Sequence, residues 1–173
     1  RDGIGSLINS TEGVLFVDMA ALSDDGTNRY LTLTNGTTNE RVALLFSANT
    51  SELRAIIYSS TQSINISFTT SAYNVLGYNK IAIRYKSGEY AFYINGTLIG
   101  TSAEVNTFTA DTLNRLAFDV GSGSLNLFAK VKQLQVYDTA LTDEQLLQLT
   151  GESGTDFYES YAEMASALTY TIQ

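Results

Sequence analysis

The sequence predicts an all-β domain: a two-sheet antiparallel jelly-roll β-sandwich closed by short C-terminal helices. Three observations carry this prediction. Apolar and polar residues alternate with a period of two, most clearly where Ile81, Ile83 and Tyr85 interleave with Ala82, Arg84 and Lys86, as in a strand with one buried face. Such runs recur about every ten residues between turn formers, a spacing typical of sandwiches and barrels. The period changes only at Thr142, where Thr142-Asp143-Glu144-Gln145 reads as a capping box ahead of Leu146, Leu147 and Leu149.

In chain order, residues 1–10 are polar and glycine-broken, a lead-in. Residues 12–19 form a strand apolar on both faces, as suits the inside of a two-layer core. Residues 23–29, SDDGTNR, form a loop of turn-forming residues. Strands follow at 30–34, 41–46, 53–58 and 64–68, with Asn35-Gly36 turning after the first and Asn49 to Ser51 after the second. The central hairpin pairs 80–86 with 90–95. Asn95-Gly96 closes it, a dipeptide favoured in type I′ turns because both central residues take positive φ. Residues 113–120 and 125–137 supply two or three further strands around Gly121-Ser122-Gly123. A helix spans 143–150 and stops at Gly151. A second begins at Asp156, with Phe157, Tyr161, Met164 and Leu168 on one stripe. Residues 1–151 therefore make the sandwich, and 152–173 a helical tail packed on it or on a neighbouring chain.

Composition narrows the chemistry. The 173 residues contain no cysteine and no histidine, which removes disulfides, thiolate nucleophiles, Ser-His-Asp hydrolysis and the common zinc sites. The formal net charge is −8, and no Lys or Arg follows Lys132. An acidic chain without a basic stripe is a poor nucleic-acid binder. No apolar run approaches the roughly 18 residues of a membrane span. A chain opening on Arg1 rather than Met is expected to be a fragment or a processed product.

Tyrosine is abundant and tryptophan absent. Tyrosine rings stack on sugar C–H faces while their hydroxyls hydrogen-bond, although most of them are expected in the core. If Ile83, Tyr85, Phe92 and Ile94 face inward, Arg84 and Tyr93 face outward, and Arg54 and Tyr58 share that parity on another strand. These four are the candidate carbohydrate-binding residues; an outward arginine also suits a carboxylated or sulfated sugar, whose acid group its planar fork grips at two points. A plain solvated sheet face is the competing reading. Asp24 and Asp25, in Asp24-Asp25-Gly26-Thr27-Asn28, offer calcium-friendly oxygens beside a turn glycine but lack the EF-hand spacing and a bidentate terminal Glu; a solvated turn is the favoured reading. Glycosidase chemistry needs two carboxyls about 5–9.5 Å apart. The nearest pair on one strand, Glu12 and Asp18, spans roughly 20 Å.

Three blocks, in order, resemble the laminin-G-like, concanavalin-A-like lectin/glucanase superfamily. RYKSGEYAFYINGTLIG (84–100) is similar to its Tyr-hydrophobic-Asn-Gly hairpin, LNRLAFDVG (113–121) to the following strand, and VKQLQVYDTALTDEQLLQL (131–149) to the closing strand and its Glu-rich helix. The family's usual Trp is Tyr78 here, and its common Gly and Asp near the last strand are Ala129 and Lys132. The laminarinase-like Glu-x-Asp-x-x-Glu strand is missing. The tail SYAEMASALTYTIQ (160–173) resembles the C-terminus of bacteriophage tail-fibre or virion surface proteins. The resemblances imply a non-catalytic carbohydrate-binding or receptor-recognition module at a fibre tip, extracellular or on a virion, with a cell-surface glycan as partner and calcium as a candidate cofactor. A structural or oligomerising virion domain is the alternative, and a glycan-degrading hydrolase the third reading.

Phage fibres are commonly trimeric, so the resemblance implies a trimer. The stripe Phe157, Tyr161, Met164 and Leu168 has coiled-coil seam spacing, and two turns of seam are too short for a stable isolated helix. Light scattering is therefore expected to give a trimer for the intact chain. A monomer both for the intact chain and for one truncated after Gly151 would discard the oligomer, and a trimer in both would move its contacts onto the sandwich.

Overall fold

A strand with one apolar face must bury it on a second layer, and the ten strands here do so as two five-stranded sheets. The computed structural model describes residues 7–151. Its elements are β1 (Glu12–Ala21), β2 (Arg29–Thr34), β3 (Glu40–Phe46), β4 (Leu53–Ser59), β5 (Ile64–Thr70), β6 (Asn79–Lys86), β7 (Tyr90–Ile94), β8 (Thr97–Ser102), β9 (Arg115–Ala117), β10 (Ala129–Tyr137) and α1 (Asp143–Thr150). The first sheet runs β10-β1-β6-β7-β8 and the second β5-β4-β3-β2-β9, with antiparallel pairing throughout. The predicted helix from Asp156 lies outside the described residues.

The core lies between the sheets. Leu15, Val17 and Met19 of β1, Ile81, Ile83 and Tyr85 of β6, and Tyr90, Phe92 and Ile94 of β7 meet Leu31, Leu33, Val42, Leu44, Leu53, Ala55 and Ile57 of the facing sheet. The central hairpin pairs Ile83 with Phe92 and Ile81 with Ile94. Asn95 and Gly96 both take positive φ, at 48° and 72°, as the turn chemistry requires.

The sandwich has a third layer that the alternation did not indicate. Val14, Phe16, Ala82, Ala91 and Tyr93 form a second apolar cluster on the outer face of the first sheet, covered by Leu146 of α1 and flanked by Tyr137, Leu141 and Leu149. The predicted capping box holds this helix: Thr142 Oγ1 accepts from the Gln145 N–H, and Gln145 Oε1 accepts from the Thr142 N–H.

The segment after β8 departs from expectation. The strand expected over 113–120 shrinks to β9, because the chain turns over at Asp119, whose Oδ1 accepts from the Gly121 and Gly123 N–H groups at 2.6 and 3.1 Å. Gly121 has φ 106°, and a Cβ there would sit 2.6 Å from the Thr37 carbonyl oxygen, so glycine alone fits. This turn lays Val120 onto Tyr30, Ala43 and Leu45, on the outer face of the second sheet. The strand expected over 125–137 contracts to β10; Leu125, at φ 54°, cannot continue a strand.

Leu146 is fully buried, so Leu146→Ala is expected to cost about 2–5 kcal/mol of unfolding free energy. Urea denaturation checks this, and an unchanged midpoint would mean that the sheet does not need its helix cover.

Candidate functional site

The four sequence-predicted site residues do not share a face. Arg54 and Tyr58 lie on β4 of the second sheet, Arg84 and Tyr93 on β6 and β7 of the first. Their parity is as expected, outward from the core, but the two outward faces look in opposite directions.

Arg84 and Tyr93 are also not exposed, at 7% and 2%, which corrects the expectation of a cation beside an open aromatic. Helix α1 lies over both. Arg84 Nε donates to the Glu89 carbonyl at 2.7 Å, and its Nη1 donates to the Leu141 carbonyl at 3.0 Å and to Asp143 Oδ1 at 2.7 Å. The Tyr93 ring packs in the cluster under Leu146, and burial, reinforced by Asp143, raises its phenol pKa above the usual range. Both residues fasten the helix to the sheet.

Arg54 and Tyr58 stand on a more open surface. The β3–β4 register places Arg41 directly opposite Tyr58, Ala43 opposite Ile56 and Leu45 opposite Arg54; on the other side β5 sets Asn65, Ser67 and Thr69 opposite Tyr58, Ile56 and Arg54. Arg41, Arg54, Ile56 and Tyr58 are half-buried, while Asn65, Ser67 and Thr69 are exposed. The Arg41 guanidinium carbon sits 5.7 Å from the Tyr58 ring centroid, within cation–π range. Its Nη1 donates to the Thr38 carbonyl at 2.8 Å, and Arg54 Nη2 donates to Ser67 Oγ at 3.1 Å. The Nε of each arginine is buried without a hydrogen-bond partner. Neither forms an ion pair among the described residues, whereas Arg29 pairs with Asp25 and Arg84 with Asp143. The charge of Arg54 nevertheless contributes to a lowered Glu52 pKa, after the larger effect of the Ser47 hydrogen bond.

The same face continues across β3 and β2 toward the turn carrying Val120. There Arg115, Phe118, Asp119, Gly121 and Asn126 help line an open cleft of about 740 Å³. Arg41 is not among the four sequence-predicted residues, although the sequence marks its place. Closing the 47–52 connection sets Phe46 against Leu53, and counting back from that pair places residue 41 against residue 58.

The calcium candidates are engaged by protein donors. Asp24 Oδ2 accepts from the Ser51 N–H at 2.8 Å, and Asp25 accepts from Arg29 Nη2 at 2.7 Å and from the Thr27 N–H at 3.1 Å. The Arg29 hydrogen bond is the main cause of the lowered Asp25 pKa. Among the described residues, no three histidine, cysteine or acidic side chains gather as a metal site.

Two five-stranded antiparallel sheets packed face to face make a jelly-roll β-sandwich. Residues 15–147 match the family described as the concanavalin A-like lectin/glucanases superfamily, and the chain belongs to it. Among solved structures the fold is similar to the CBM40 of the Ruminococcus gnavus IT-sialidase bound to α2,3-sialyllactose, at 17% identity over 82% of this chain and 83% of that one, with a TM-score of 0.68. The leech intramolecular trans-sialidase complexed with 2,7-anhydro-Neu5Ac shares 16% identity over 88% of this chain and 25% of that one, at a TM-score of 0.66. Domain 4 of AbnA, an extracellular arabinanase from Geobacillus stearothermophilus, in complex with arabinotriose, shares 15% identity over 84% and 69%, at 0.61. No curated protein matches the sequence.

The two arginine environments predict opposite behaviour. Arg84→Ala removes hydrogen bonds to the Glu89 and Leu141 carbonyls and to Asp143, and is expected to cost about 2–3 kcal/mol of stability. Arg54→Ala on the open strip should stay within about 1 kcal/mol of the parent. Thermal or urea unfolding of both variants checks this, and equal losses would contradict it.

Proposed function

We propose that this chain is a non-catalytic carbohydrate-binding module that takes its glycan on the outer face of the second sheet, along β3, β4 and β5. One observation carries the reading. Two half-buried arginines, Arg41 and Arg54, flank Tyr58 and Ile56 on one strip with no ion pair of their own among the described residues, in a chain of net charge −8. Such a strip offers what a sugar takes up: a ring for stacking, an apolar step, and hydroxyl and amide groups from Asn65, Ser67 and Thr69 on the neighbouring strand. The similar CBM40 and arabinanase domains were solved with sialyllactose and arabinotriose.

The non-enzyme part of the proposal has its own support. Glu40 is the one carboxylate on β3, β4 and β5. It is buried and accepts from Ser59 Oγ, Ser60 Oγ and the Thr61 N–H, so the strip lacks the carboxyl pair of a glycosidase. The fibre or virion setting and the trimer belong to the same proposal and are supported by the tail sequence alone.

A glycan array on the purified domain, with calcium and with chelator, tests the reading. Binding is expected, with Arg41→Ala, Arg54→Ala and Tyr58→Ala each losing about 1–3 kcal/mol of affinity. Variants that bind like the parent would move the site off this strip, and an array without binding would reject the function. Binding lost on chelation would assign a cation to the domain, with Asp24 and Asp25 as the first residues to replace.

A further inference from the structure

We infer that the ligand is an acidic polysaccharide bearing carboxylate or sulfate groups at intervals, laid along the strip as an extended segment and held at two separate anion points. The inference rests on the proposed use of this strip and adds the ligand class.

The register keeps the two cations apart. Arg41 stands opposite Tyr58, and Arg54 lies four residues back along β4, a separation of about 13 Å at the rise of a strand. Arginine side chains are long enough to converge across such a gap, but these two are tethered elsewhere. Arg41 is drawn toward the 35–39 turn by the Thr38 carbonyl and toward Tyr58 by its ring. Arg54 is tied to Ser67 on the edge strand. Each fork keeps donors that neither tether uses. The arrangement is two anion points, not one.

What lies between them fits a sugar chain. Half-buried Ile56 occupies the middle, an apolar step against which a ring's C–H face can rest. Asn65, Ser67 and Thr69 run alongside at alternate positions of β5, within reach of hydroxyls on successive rings. A single terminal acidic sugar can occupy only one anion point. A chain carrying two acid groups occupies both, and the second contact forms within one bound molecule, so affinity rises steeply with length. The net charge of −8 opposes diffuse attraction of a polyanion, so binding depends on these two contacts and its salt dependence is correspondingly shallow.

Calorimetric titration of the intact chain tests this against alginate, hyaluronan, chondroitin sulfate and polysialic acid. Their carboxyl-reduced or desulfated forms, the corresponding oligosaccharides with one and with two acid groups, sialyllactose and duplex DNA serve as comparisons. At least one acidic polysaccharide is expected to bind, and to weaken about tenfold or more when its acid groups are removed. Its oligosaccharide long enough to place two acid groups about 13 Å apart should bind at least tenfold tighter than its one-acid oligosaccharide, and Arg41→Gln or Arg54→Gln should abolish that difference while keeping the melting temperature within a few degrees of the parent. Equal binding of neutral and acidic glycans would overturn the acidic ligand while leaving a carbohydrate-binding module. Sialyllactose or a one-acid oligosaccharide binding as tightly as the polymer would overturn the two-point mode. DNA binding as tightly as the glycan would reduce the strip to a general anion surface. No binding by any glycan would remove the underlying reading as well.

Discussion

Nine consecutive residues of β1, from Gly13 to Ala21, are buried, and the rest of the architecture follows from that constraint. This corrects the expectation that apolar residues on both faces suit a two-layer core, since a strand of a two-layer sandwich buries alternate residues and exposes the others. Here neither parity meets water. Leu15, Val17 and Met19 face the second sheet, while Val14 and Phe16 face the other way into the cluster beneath Leu146. The first sheet therefore needs a cover on each side, and α1 provides the outer one. Arg84 makes the cover specific. A guanidinium at that depth is tolerable only when fully hydrogen-bonded, and its partners come from the hairpin turn, from the chain leading into the helix and from the helix's first residue.

The asymmetry between the sheets places the candidate site. The helix closes the outer face of the first sheet. On the second, the turn carrying Val120 covers the part at Tyr30, Ala43 and Leu45, with Ile56 packed at its edge, leaving the rest of β4 and β5 open. The sheet edges are treated differently too. β10 carries Lys130 and Lys132 and a register shift opposite Asp18 and Met19, and β9 is only three residues long; charge, bulging and brevity all discourage strand addition. At β5 the exposed alternate positions are Asn65, Ser67 and Thr69, neutral hydrogen-bonding groups beside two cations.

The elements legible in the sequence were those fixed by local chemistry. The hairpin of β6 and β7 follows from alternation and Asn95-Gly96, and α1 begins at its predicted capping box because Thr142 and Gln145 satisfy each other's backbone without help from the fold. Strands β2 to β5 of the second sheet were legible for the same reason. The candidate site was less so. Parity tells which side of a strand a residue occupies, but not which sheet the strand joins or what lands on its far side. Arg84 and Arg54 have the same local signature and opposite fates, because 142–150 is far away in sequence and close in space. The shortening of the 113–120 strand was hidden likewise: Asp119 is an ordinary strand-end residue until its carboxylate turns back onto two glycine amides.

The position of β1 between β6 and β10 also sets an order of assembly during synthesis. The second sheet takes four of its five strands from the contiguous stretch 29–70, so those pairings close short loops. β1 must wait for a partner beginning at Asn79 and for another beginning at Ala129, contacts that close late and at high entropic cost. A nascent chain therefore carries a ten-residue segment, apolar on both faces, until residues 79–86 and 129–137 have been made. That segment is the part of the molecule most in need of shielding before the fold is complete.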